Sequence, residues 1–120
     1  MRLDETFPGL EEARRRFRRV MDVIDEFIGR RITDTVYSSK VYFFSIFVYL
    51  YDAMYGLGSE LKATRAKKLD PSVKDCFLRV SEDFQSQSVP PEVLDAVQRA
   101  SSDLGRRRTR LQYLKSQCDG

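Results

Sequence analysis

Within residues 41–55 (VYFFSIFVYLYDAMY) only Ser45 and Asp52 interrupt an apolar and aromatic run, and seven of the fifteen positions are Tyr or Phe. Leaving any face of such a segment in water costs roughly 25 cal/mol per Å², so the rest of the chain is expected to wrap it. Aromatic and β-branched residues favour strands. The run is nevertheless too long for one ordinary strand, and it holds no turn signal that would fold it into a hairpin. It also falls short of the roughly 20 apolar residues that span a bilayer, and Lys40, Asp52 and Gly56-Leu57-Gly58 stand in or beside it. A buried central helix is the expectation, with Phe43/Phe44, Phe47, Leu50/Tyr51 and Met54 as its strongest stripe.

The flanking segments read as further helices. In residues 10–28, Leu10, Ala13, Phe17, Val20/Met21, Ile24 and Phe27/Ile28 recur at intervals of three and four, which lines one helical face. Pro8 suits the first turn, with Thr6 as its cap, and Glu11 and Glu12 complement the helix dipole. Residues 33–39 are polar and turn-forming, with Ser38 or Ser39 as a cap for the central helix. Gly56 fits a left-handed helix stop. Leu61, Ala66 and Leu69 mark a short basic helix or turn. Asp70-Pro71 restarts the chain with a capping carboxylate and a proline at the first helical position, followed by a stripe of Val73, Cys76/Phe77, Val80 and Phe84. After the polar break at residues 85–88, Pro90-Pro91 opens a helix with Val93, Leu94, Val97 and Ala100 inward. Residues 100–103 are a kink or a new cap, beyond which Leu104, Leu111 and Leu114 continue a final helix. The expected fold class is all-α: a single domain over residues 1–120, a bundle of five or six helices around the aromatic one.

Composition narrows the chemistry. The 120 residues include no histidine, which removes Ser-His and Cys-His nucleophile pairs, histidine bases and His-based zinc sites. Cys76 and Cys118 lack metal-site or disulfide-framework spacing, so free thiols in a reducing cytosol are expected, with Cys76 buried and inert. No apolar signal region opens the chain, and a cytoplasmic location follows. Asp52 with Glu60-Leu61-Lys62 matches, on paper, the carboxylate and Glu-x-Lys of Mg²⁺-dependent nucleases; those residues belong on adjacent strands, whereas these flank a helix and a glycine turn. Asp25-Glu26 and Glu82-Asp83 are sequence neighbours and point apart on a helix. No catalytic, metal or cofactor site is expected, and the protein is read as not an enzyme.

Charge points elsewhere. Arg14, Arg15, Arg16, Arg18 and Arg19 lie among Glu11, Glu12 and Asp22 at helical pairing distances, so they read as a solvated, self-paired face. Residues 99–120 carry Arg99, Arg106, Arg107, Arg108, Arg110 and Lys115 against Asp103 and Asp119, a net of +4. Arg99, Arg106, Arg110 and Arg107 fit one helical face without acidic neighbours, the footprint of phosphate contact or of docking on an acidic protein surface.

Two blocks resemble one family. Residues 31–62 (RITDTVYSSKVYFFSIFVYLYDAMYGLGSELK) look like a stretch of the C-terminal half of ParB-like, DGQR-motif nucleases, including the GmrSD-type modification-dependent restriction proteins, where a polar turn precedes a "FFSLFxxLYxxxYGL" helix. Residues 90–114 resemble the segment that follows, through Pro91, Val93, Leu94, Ala96, Ser102, Asp103, Arg107 or Arg108, and Arg110. These are helix-packing patterns covering about half the chain. The family's hydrolytic chemistry is assigned to an N-terminal domain with an Asp-Gly-Gln-Arg motif, which this chain lacks. The resemblance therefore implies a stand-alone or truncated helical lobe.

The functional expectation is a non-catalytic helical interaction module, of a bacterial or phage defence nuclease system, that docks a partner protein or DNA. The alternative is a small nucleic-acid-binding regulator using the basic C-terminal helix. A protein partner, nucleic acid at that helix and a second copy of the chain are the partners considered; a membrane is not expected.

Overall fold

Among residues 9–62, 65–98 and 104–119, which a computed structural model describes, the chain forms five α-helices and two 3₁₀ turns. They are α1 (Leu10–Phe27), the turns Gly29–Asp34 and Val36–Ser38, α2 (Lys40–Met54), α3 (Ser72–Gln85), α4 (Pro91–Gln98) and α5 (Leu104–Cys118). Of residues 96–98, 104 and 106, only the helical backbone is described. No strand occurs among the described residues, and the all-α bundle expected from the sequence is the fold. Thr6, Pro8 and the 100–103 kink lie outside the described residues, as does Arg99.

Helix ends follow their local chemistry. α2 starts after Ser39 and stops at Gly56, whose φ of 91° supplies the left-handed turn while its N–H donates to the Asp52 carbonyl at 2.9 Å. Asp70 accepts the Ser72 N–H at 2.9 Å and so caps α3. The Pro90 carbonyl accepts from Val93 and Leu94 at 3.0 Å, which starts α4. Residues 65–69 are not helical, contrary to the short basic helix or turn read from Leu61, Ala66 and Leu69. There the Lys67 N–H donates to the Met54 carbonyl at 2.9 Å, so this strip is tied across the end of α2 instead of coiling on itself.

α2 packs on α1 and α5, and α5 also packs on α3 and α4. Phe77 of α3 is the hub of the core: the rings of Tyr49, Tyr37 and Phe27 lie 5.5, 6.1 and 6.4 Å from it. Tyr37 sits in the turn that the sequence marks as polar, yet it is buried and donates to the Phe77 carbonyl at 2.6 Å. Burial pushes its phenol well above the ordinary tyrosine range. Nearby, the buried Ser81 hydroxyl accepts the Val36 N–H at 3.0 Å.

Three sequence expectations are corrected. The cysteines are not free: Cys76 and Cys118 form a disulfide, 42 residues apart, between α3 and the last residue of α5. The central helix is not wrapped on all sides. Its buried residues are Ile46, Tyr49, Leu50 and Met54, whereas Phe44 is 46% exposed and Phe43 and Phe47 are half-buried. On α1 the inward stripe is Glu12, Arg16, Val20, Val23 and Ile24, and Phe17 is turned out at 55% exposure. Phe17 lies at the edge of that stripe, close to Ile24 on the helical wheel, and there it packs its ring 5.3 Å from that of Phe47. No described helix is long and apolar enough to cross a membrane.

Candidate functional site

The arginine-rich run of α1 is not simply a solvated face. Arg16 is 1% exposed, and all five of its N–H donors find acceptors. Nε donates to Glu12 Oε2 at 2.7 Å; Nη1 to the Tyr51 and Ser59 hydroxyls at 3.1 and 2.8 Å; Nη2 to the Glu60 and Lys62 carbonyls at 2.7 and 3.2 Å. Its guanidinium carbon stands 4.7 Å from the Tyr55 ring centre, a stacking geometry. A planar fork with five donors suits this task and a lysine does not. The network fastens the loop after α2 to α1. Leu61 of that loop presses on Gly9, where an added Cβ would lie 2.5 Å from Leu61 Cβ, and the φ of 84° at Gly9 also favours glycine.

Arg15 grips the same carboxylate from the solvent side, Nε to Glu12 Oε1 at 2.8 Å and Nη2 to Oε2 at 2.7 Å. Hydrogen bonds from Arg15 first, and then from Arg16, hold the Glu12 carboxyl at about 2, against an ordinary 4.5. Because the folded-state value is the lower one, the stabilisation is complete above pH 4.5 and is lost as pH falls through about 2. Urea midpoints followed across that window are expected to fall, and Glu12→Gln should remove part of the slope. An unchanged slope in the variant would show that Glu12 titrates alike in both states.

The described basic side chains of the C-terminal helix differ in burial. Arg107 and Arg108 are exposed, whereas Arg110 is buried on the same face as buried Leu114, one turn on. Lys115 Nζ is 2.6 Å from Asp52 Oδ2. That contact and the Leu57 N–H lower the Asp52 pKa, and the same hydrogen bond raises that of Lys115. Asp52 is thus occupied, while Glu60 and Lys62 pair at 3.4 Å at the surface. Among the described residues no group of three or more His, Cys, Asp or Glu could hold a metal.

What the helices do assemble is an apolar face. α1 and α2 present Phe17, Met21, Phe43, Phe44 and Phe47, with Lys40, around a depression of about 280 Å³; the Phe17 and Phe47 rings are 5.3 Å apart. Phe44 also lines a second hollow of about 300 Å³, with Ser45, Val48, Leu57, Arg107, Arg108, Arg110 and Leu111. Leu57, at the loop tip, is 53% exposed. No acidic side chain lines either hollow among the described residues. Sequence reasoning singled out Arg107 and Arg108 for their charge but placed Phe17 and Phe44 inside. The one available signal was that α2 is apolar on every side, more than a bundle of this size can cover.

No family model matches this chain, and neither does any curated protein or any solved structure.

Proposed function

We propose that this chain is a non-catalytic helical interaction module that docks an acidic amphipathic helix of a partner protein. The carrying observation is the run of Phe17, Phe44 and Leu57, exposed together along two hollows whose charged lining residues are all basic. Contiguous exposed apolar surface of this kind marks interaction sites, and an amphipathic helix places anchors at i, i+3/i+4 and i+7 into such grooves. The basic rim of Lys40, Arg107 and Arg108 sets the sign of the partner and steers its approach. A second copy of the chain fits less well, because a two-fold interface centred here faces like charges with like. Duplex DNA fits less well too, since phosphates gain nothing from Phe44, Val48 and Leu57 between the arginines.

The test titrates the protein with a synthetic helical peptide bearing Leu and Phe at those anchor spacings and Glu elsewhere. Binding is expected to weaken at least roughly tenfold on Phe44→Asp, and association to slow on Arg107→Glu with Arg108→Glu. If the peptide does not bind while duplex DNA does, with an affinity that falls steeply with salt, the regulator reading replaces this one. A dimer that Phe44→Asp dissolves would instead make the occupant a second copy.

The setting in a bacterial or phage defence nuclease system rests on the resemblance of residues 31–62 and 90–114 to the helical region of DGQR-motif nucleases. Those two blocks contain α2 and most of α5, which pack together and share the second hollow. A DGQR-motif nuclease in the neighbouring reading frame supports that setting; unrelated neighbours remove it. For the cytoplasmic placement, thiol titration of natively isolated protein decides, since a persistent Cys76–Cys118 bond belongs to oxidising surroundings.

A further inference from the structure

A separate groove opens on the other side of α1. At about 100° per residue, Arg19, Val23 and Glu26 lie roughly 120° or more around the helix from Phe17 and Met21, with Phe27 between the two faces. With the 66–69 strip and the start of α3 they enclose about 400 Å³, within the range of small-ligand sites. Its apolar lining is Val23, Phe27, Met54, Ala66 and Leu69; its cations are Arg19, Lys67, Lys68 and Lys74, against one carboxylate, Glu26. One wall is fixed by the Lys67 N–H bond to the Met54 carbonyl at 2.9 Å. Among the described residues none of these four cations is in an ion pair. Asp52, whose carboxyl feels Lys67, is already held by Lys115. Toward the start of α1, by contrast, Glu11 and Glu12 pair with Arg14, Arg15 and Arg16.

We propose that this groove binds a single-chain anionic amphiphile, a fatty carboxylate, with its alkyl chain along the Val23–Phe27–Leu69 floor and its head among Lys67, Lys68 and Lys74. The floor alone recognises any alkyl chain and the rim alone recognises any anion; together they select a ligand with both. A free inorganic anion leaves the floor wet, and a neutral lipid leaves the cations uncompensated.

The experiment titrates the full chain with dodecanoate below its micelle concentration, with the neutral glycerol monoester of dodecanoate and with acetate as comparisons. Saturable binding of one dodecanoate per chain in the micromolar range is expected, with the monoester weaker by roughly tenfold and acetate not bound. Lys68→Glu with Lys74→Glu should weaken dodecanoate by a similar factor. Both lysines are exposed, so this variant keeps the fold even if the floor-filling Ala66→Trp does not. Arg107→Glu with Arg108→Glu, on the apolar face described above, should leave dodecanoate binding unchanged. Three results overturn the proposal: no saturable binding, equal affinity for the neutral monoester, or a loss confined to the Arg107/Arg108 variant. The first two leave peptide docking at Phe44 untouched, and the third moves the amphiphile to that face, so failure of this proposal is distinguishable from failure of the docking reading.

Discussion

Arg16→Met is expected to destabilise the protein by on the order of 3 kcal/mol, about 10 °C in Tm, although it adds an apolar side chain at a buried position. The loss has two parts. Glu12 loses its inner partner while still held in a site that is 8% exposed. The carbonyls of Glu60 and Lys62 and the hydroxyls of Tyr51 and Ser59, all in part-buried bonds, lose the donor that satisfies them, and an acceptor left without its donor costs more than a made bond returns. Arg16→Lys should fall between, because an ammonium keeps the charge but cannot reach acceptors arranged around a planar fork. Arg15→Met, at an exposed position gripping the same carboxylate, should cost far less. The loop gives an independent readout: without Arg16, residues 56–62 detach from α1 and trypsin cuts after Lys62 faster. A Tm within error of wild type, with cleavage unchanged, would mean that the loop is held by Leu61 against Gly9 and that the arginine is incidental.

That arginine also measures how far the sequence could be read. Element type was legible because it is encoded locally: the three-and-four spacing of α1, Gly56 after α2, Asp70-Pro71 before α3 and Pro90-Pro91 before α4 are all signals within a few residues. Facing was not. For α1, Phe17 looks like the core residue and Arg16 like the solvent one, until acceptors 43 to 46 residues away are brought to Arg16. No local pattern announces them. In α2 the difficulty is the reverse, since a helix apolar on every side has no periodicity to say which face is covered. Phe44 outward and Ile46 inward follow from where α1 and α5 dock. Tyr37 is a third case: polar neighbours mark its segment as a turn, correctly, while its own burial depends on a carbonyl 40 residues on. The candidate site inherits this division. Arg107 and Arg108 were legible as charge, but the apolar face beside them exists only because the bundle leaves it uncovered.

Reducing the Cys76–Cys118 bond is expected to lower stability by about 4 kcal/mol, the loop-closure entropy of a link spanning some 40 residues. The bond fastens the last residue of α5 to the middle of α3, but it is not the sole attachment there. Leu114 is buried, Lys115 meets Asp52 at 2.6 Å, and the Tyr49 hydroxyl donates to Asp119 Oδ1 at 2.6 Å. Those contacts also survive in the reduced protein, so the native fold should persist and most of the effect should arise in the unfolded chain, which regains the freedom of the opened loop. Two measurements separate this from simple local fraying. Urea unfolding should show a lower midpoint in dithiothreitol, matched by Cys76→Ser with Cys118→Ser in its absence. Amide exchange in the native state should accelerate throughout the bundle in step with the global loss, with only a modest extra increase at residues 115–119. If exchange rises at that terminus alone while the urea midpoint holds, the bond merely staples a frayed end. If denatured, unreduced protein titrates with two free thiols, the cysteines are unpaired in solution and the notion of a cross-linked core is wrong.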